Sequence, residues 1–125
     1  MNQVISTPDA PRSPHYSQAV RAGNTIYVAG TTGVDVATGA FAGPTVKEQG
    51  RQALLNVRTI LRAAGAELSD VAMIHTLLAH PEDADALCDV LEEFYPEVRP
   101  PRCVSKIGVE RPELLVSFAV TAVVG

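Results

Sequence analysis

LLVSFAVTAVV, residues 114 to 124, is the stretch whose two faces decide the fold. In a strand, alternation sends Leu114, Val116, Phe118 and Val120 to one side and Ser117, Ala119 and Thr121 to the other. The bulky row requires helices above it. The small row offers too little polarity to sit alone in water, so it needs a cover of its own.

The same demand recurs upstream. SQAVRAGNTIYVAG reads as a hairpin of two strands, Ser17 to Arg21 and Thr25 to Gly30, turning at Ala22-Gly23-Asn24, where glycine and asparagine tolerate positive φ. TIYVAG is apolar on both alternations, as in a central strand. Before it, Pro8, Pro11 and Pro14 keep the chain extended and irregular to about His15, after a short strand near Gln3 to Ser6. DVATG, 35 to 39, carries turn chemistry, and Gly43-Pro44 leads into a helix that Thr45 caps with Glu48 as capping-box partner. Ala53, Leu54, Val57, Ile60, Leu61 and Ala64 recur at helical spacing, with Arg51, Arg58 and Arg62 on the solvent side, until Gly65 stops the helix. Val71 to Ala79 reads as a buried strand. Pro81, Glu82 and Asp83 open a second helix, with Leu87, Val90, Leu91 and Phe94 as its inner stripe. Pro96 and Pro100-Pro101 end it and send an extended segment into Cys103 to Val109.

The order β, hairpin, α, β, α, β, β predicts one α+β domain over residues 1–125, a sheet with two helices on one face. Two helices cannot cover both faces. The second face is therefore expected to pack against copies of the same chain.

Bulk composition narrows the function classes. The chain has 125 residues, 10 basic against 14 acidic, and a net charge of −4, without the dense basic patch that phosphate backbones demand. No nucleic acid is expected as a partner. The N-terminus lacks a basic segment followed by an apolar one, and no apolar run approaches the ~20 residues of a membrane span, so no membrane association and a cytoplasmic location are expected. Cys88 and Cys103 have neither CxxC spacing nor a secretory context, and His15, His75 and His80 lack ligand spacing, so reduced thiols and no metal are expected.

RPPRCV, 99 to 104, carries the sharpest chemistry. A rigid diproline aims Arg102 at the mouth of a strand, and a guanidinium there requires a partner. Glu97 or Glu110 would serve; so would a ligand carboxylate held by bidentate, charge-assisted bonds. Cys103, beside that charge, is either a nucleophile or a small residue at a strand start, and no histidine stands near it in sequence. Cys88 reads as helix core. Gly30-Thr31-Thr32-Gly33 is a turn or a weak backbone anion site.

Together, PHYSQAV (14–20), GNTIYVAG (23–30), DVATG (35–39), EQGRQALLN (48–56), AAG (63–65), FYPE (94–97) and RPPRCV (99–104) resemble the RidA/YjgF family of enamine/imine deaminases, from about Ile5 to Val123. The resemblance implies a chorismate-mutase-like fold, a homotrimer whose sheets form a central barrel, and clefts between subunits. It implies that Arg102 grips the carboxylate of a small 2-imino or 2-aminoacrylate-like acid, with Tyr16 lining the cleft, Gly30 offering backbone, Thr31 and Cys103 adjoining, and no cofactor. Arg102 is then the catalytic and substrate-binding residue.

Some positions depart from the family pattern. A glutamate that holds the attacking water in deaminating members is replaced by Ala119; S-G-Q reads Ala29-Gly30-Thr31; a helix asparagine reads Cys88; and R-S-C-V is shortened to Arg102-Cys103-Val104. Deamination to 2-oxo acids and ammonia, at a reduced rate, is the expected activity. A biosynthetic enzyme acting on a carboxylate-bearing imine or enamine, or a non-catalytic carboxylate-metabolite binder, is the alternative. The acidic balance opposes the ribonuclease role attached to some relatives.

Overall fold

A computed structural model describes residues 2–125. Eight strands and two helices run in the order β1 (Gln3–Ile5), β2 (Ala19–Ala22), β3 (Thr25–Thr32), β4 (Val34–Asp35), β5 (Ala40–Phe41), α1 (Val46–Ala63), β6 (Val71–Leu78), α2 (Ala84–Phe94), β7 (Arg102–Lys106) and β8 (Val116–Val123). Six strands form one sheet in the order β1-β2-β3-β8-β6-β7, and β4 and β5 form a separate small hairpin. Only β6 and β7 pair in parallel, which makes the sheet mixed.

Local chemistry sets the helix ends. Thr45 accepts from the Glu48 N–H at 3.2 Å while the Glu48 carboxylate accepts from the Thr45 N–H at 3.2 Å, the reciprocal capping box. Gly65, at φ 84°, ends α1 in the left-handed region. Along α1, Ala53, Leu54, Val57, Ile60 and Leu61 are buried and pack on β3 and β8, while α2 lies beside it. Phe118 is fully buried beneath the helices. The split between the faces of β8 is as expected.

The opposite face has no cover within one chain. Cross-strand rows Val20–Tyr27–Thr121–Met73, Ala119–His75–Cys103 and Ser117–Leu77–Ser105 run across it. Tyr27 is 55% exposed there.

Several element boundaries differ from expectation, whereas the turn expected at DVATG is present. The strand expected at Cys103–Val109 is Arg102–Lys106 and exposed throughout, because β7 is an edge strand paired only with β6 and lies beyond most of the helical cover. The DVATG turn is the tip of the β4–β5 hairpin, with Gly39 at φ 74°. Pro81–Asp83 forms a short 3-10 turn before α2 begins at Ala84. The last strand starts at Val116, because the Leu115 N–H is drawn to the Gln49 side chain instead of a neighbouring strand.

Two buried polar residues of α1 fasten loops to it. Asn56 Nδ2 donates to Thr32 O at 2.9 Å and Val34 O at 2.8 Å, fixing the exit of β3. Gln49 holds the segments before α1 and before β8. The helix can come this close because position 33 is glycine: a Cβ there would lie 2.7 Å from the Gln49 Cα. At the far end of α2, Tyr95 donates to Leu68 O at 2.8 Å, and burial pushes its phenol up to about 12.

Thr76, 1% exposed between Phe118 and Val104, keeps a hydroxyl with no partner. Desolvation without a hydrogen bond costs about 1 kcal/mol or more, so Thr76→Val is expected to stabilise the fold by about 1 kcal/mol. A urea midpoint that falls in the variant would contradict this.

Candidate functional site

The segment before β2 is anchored by one side chain. Gln18, buried, accepts from the Thr7 N–H at 2.6 Å and donates through Nε2 to Ala10 O and Thr7 O at 3.1 Å and Pro11 O at 2.8 Å. With no regular structure of its own, this segment takes its position from that glutamine, and it carries Arg12 and Tyr16 to the end of β3.

At that end β3 slips register between Val28 and Thr31, a bulge that turns Gly30 out. The Thr31 hydroxyl donates to Ala29 O at 2.8 Å and stabilises the bulge. A Cβ on Gly30 would lie 3.0 Å from the Ser117 hydroxyl, so Ser117 is the neighbour directly beneath it. Around these residues opens a cavity of about 400 Å³, lined among others by Arg12, Tyr16, Gly30, Thr31 and Arg111. Tyr16, Gly30 and Thr31 are thus brought together.

Arg102 and Cys103 are not brought to them. They lie on β7, three strand spacings from β3, roughly 14 Å. Successive residues of a strand point to opposite faces. Arg102 pairs in register with buried Ile74 and reaches back toward α2, where its Nη2 lies 3.9 Å from Cys88 Sγ. It lines a smaller cavity, about 290 Å³, with Ile74, Cys88, Leu91, Glu92, Arg99 and Pro100. Among the described residues the ion pairs are Lys47–Asp89, Arg51–Glu93, Arg62–Glu67 and Arg99–Glu92, and none includes Arg102. Neither Glu97 nor Glu110 neutralises it. Cys88, expected in the helix core, is half-buried and adjoins this guanidinium through a weak sulfur acceptor.

Cys103 faces the other way, beside Ala119 and His75 in one cross-strand row. Its Sγ lies 3.2 Å from His75 Nδ1, within reach for the imidazole to take the thiol proton. Sequence separation concealed this pair, because parallel pairing across the α2 crossover creates it. Arg12 and Arg111 were also missed; they stand 99 positions apart, and no local pattern links them. Among the described residues no cluster of three or more His, Cys, Asp or Glu side chains is arranged to hold a metal. Nor is any helix among them long and apolar enough to cross a membrane.

Comparison with known proteins gives a consistent set of relatives. The model of the endoribonuclease L-PSP family matches residues 7–124. A 2-iminobutanoate/2-iminopropanoate deaminase of Dermatophagoides farinae is 36% identical over 108 residues, covering 86% of this chain and 83% of that protein. A RutC family protein of Pyrococcus horikoshii is 33% identical over 123 residues, covering 98% of each. The crystal structure of RidA from an Antarctic Psychrobacter superposes with a TM-score of 0.89 at 30% identity, covering 98% of this chain and 99% of that one.

Proposed function

This chain belongs to the endoribonuclease L-PSP family, which includes the RidA/YjgF proteins, and from that premise we propose that it hydrolyses small 2-imino acids to 2-oxo acids and ammonia. The catalytic cleft is shared between copies of the chain. One copy supplies Arg102; its neighbour supplies Tyr16, Gly30 and Thr31; three such seams close a homotrimer around the bare sheet face. The observation that carries this reading is the unpaired Arg102 on one edge of the sheet, with the Tyr16–Gly30–Thr31 cavity toward the other. A second copy is what can bring them together.

In such a cleft Arg102 fixes the substrate carboxylate by bidentate hydrogen bonds and so places the C=N carbon beside Gly30. Water adds to that carbon, the C–N bond breaks, and ammonia leaves. Protonation of the imine nitrogen makes the carbon electrophilic without a metal or cofactor, so positioning provides much of the rate. RNA cleavage is a poorer fit, since a net charge of −4 repels phosphate backbones.

The general base is the open position. Both Ala119 and Ser117 lie on the uncovered face of β8, and neither is a carboxylate. A missing base typically forfeits roughly 10² to 10⁴ in rate. The assay is release of 2-oxo acid and ammonia from imines generated in place by an amino-acid oxidase. Ala119→Glu, which restores the carboxylate where the family pattern has it, is expected to raise the rate by about 10²-fold, and more than Ser117→Glu does, because Ser117 is buried against Gly30 with no room for a longer side chain. Tight binding of 2-oxo acids with no turnover in either variant would instead identify a carboxylate-binding protein.

A further inference from the structure

We infer that the cleft selects imines of dicarboxylic acids, the second carboxylate being held by Arg111 and Arg12; this rests on the deaminase reading above. The starting point is charge. The chain carries 14 acidic residues against 10 basic ones, yet the cavity around Gly30 is lined by two arginines and no carboxylate. The arginines of α1 differ in being ion-paired: Arg51 and Arg62 bond Glu93 and Glu67 in their surface depression, whereas Arg111, which also borders a smaller depression with Glu110 and Glu113, pairs with neither among the described residues. Within the cavity nothing performs that neutralisation. Arg12 and Arg111 belong to none of the ion pairs among the described residues.

Both are positioned by the fold. The Gln18 hydrogen bonds fix the segment bearing Arg12. Arg111 stacks over Phe41 with its guanidinium carbon 5.7 Å from the ring centroid, an arrangement that leaves the N–H edges free for an acceptor. Residues just after it are tied to Gln49 through Glu113 O and Leu115 N–H. If Arg102 from the neighbouring copy holds the carboxylate next to the C=N carbon, a monocarboxylic imine leaves Arg12 and Arg111 without a partner. A second carboxylate at the end of a short side chain supplies one. A volume of about 400 Å³ is also more than a three-carbon acid fills. The reaction is unchanged: imine and water give the 2-oxo dicarboxylate and ammonia.

The test compares two imine classes made in place, dicarboxylic ones from D-glutamate with D-aspartate oxidase and monocarboxylic ones from leucine with an L-amino-acid oxidase. The expected result is a higher kcat/KM for the dicarboxylic class, with the ratio between classes falling about tenfold in Arg111→Ala, mainly through KM, and partly recovering in Arg111→Lys. Preference for the monocarboxylic class with a ratio that Arg111→Ala does not move overturns the inference and leaves the deaminase reading standing, provided turnover still depends on Arg102. If neither imine is hydrolysed, the deaminase reading fails separately, and calorimetric titration with 2-oxoglutarate and 2-oxobutanoate decides the anion site. Tighter binding of the dicarboxylate that weakens in Arg111→Ala supports it. Equal binding, or binding indifferent to that substitution, overturns it.

Discussion

Replacing Arg102 by alanine is expected to lower kcat/KM for imine hydrolysis by roughly 10² to 10³-fold while leaving the folded chain as stable as before. The size follows from two charge-assisted hydrogen bonds to a carboxylate, each about 1.5 to 3 kcal/mol, reduced because the site is not deeply buried in one chain. Stability is spared because Arg102 is exposed on an edge strand, joins no ion pair among the described residues, and meets Cys88 through a sulfur 3.9 Å away. Arg102→Lys recovers little, since an ammonium cannot reproduce the planar fork. A rate within twofold of the parent in Arg102→Ala would dispose of the carboxylate clamp.

The same substitution tests the shared cleft. Gly30→Val introduces a branched side chain where even a Cβ lies 3.0 Å from Ser117, and it is expected to be inactive. If the two halves come from different copies, refolding an equimolar mixture of the two inactive variants restores about a quarter of the sites, those in which an intact Arg102 faces an intact Gly30. Sites made within one chain would restore none.

What was readable in advance was local. The capping box at Thr45 and Glu48 and the stop at Gly65 depend on residues three or four apart or on one backbone angle. The unlike faces of β8 follow from alternation alone, and with them the prediction of an uncovered sheet face. The endoribonuclease L-PSP match spans most of the chain, as the resemblance in the motifs suggested. What escaped was whatever the topology assembles. His75 meets Cys103 only because β6 and β7 run parallel across a helical crossover. Edge exposure of β7 depends on where the helices stop covering the sheet, which apolar content does not encode. Polar residues at helical positions were harder still: the spacing of Ala53, Leu54 and Val57 locates the buried face of α1, but periodicity of apolar residues is silent on Gln49 and Asn56, which lie buried as well.

Gln49 is where that blind spot carries the largest energetic weight. It is 1% exposed, and every polar atom of its amide is engaged: Nε2 donates to Gly43 O at 3.0 Å and Glu113 O at 2.8 Å, and Oε1 accepts from the Leu115 N–H at 3.0 Å. Gln49→Leu has nearly the same shape but leaves two carbonyls and one N–H without their partner at a half-buried junction of two loops. Each orphaned group costs about 1 to 3 kcal/mol, and the added apolar burial offsets only about 1 kcal/mol of the total, so a net loss of about 3 kcal/mol is expected. Gln52→Leu on the same helix is the control, because it gives up a single bond, to Asn56 Oδ1 at 3.0 Å, and is expected to cost under about 1 kcal/mol. Urea unfolding of the two variants measures the difference. A loss below about 1 kcal/mol for Gln49→Leu would mean that water or a shifted loop replaces the lost partners. If the loss is as large as expected, its consequence reaches the cleft: the segment released from Glu113 and Leu115 is the one that presents Arg111, so discrimination between imine classes should weaken in this variant at urea concentrations where the fold itself persists.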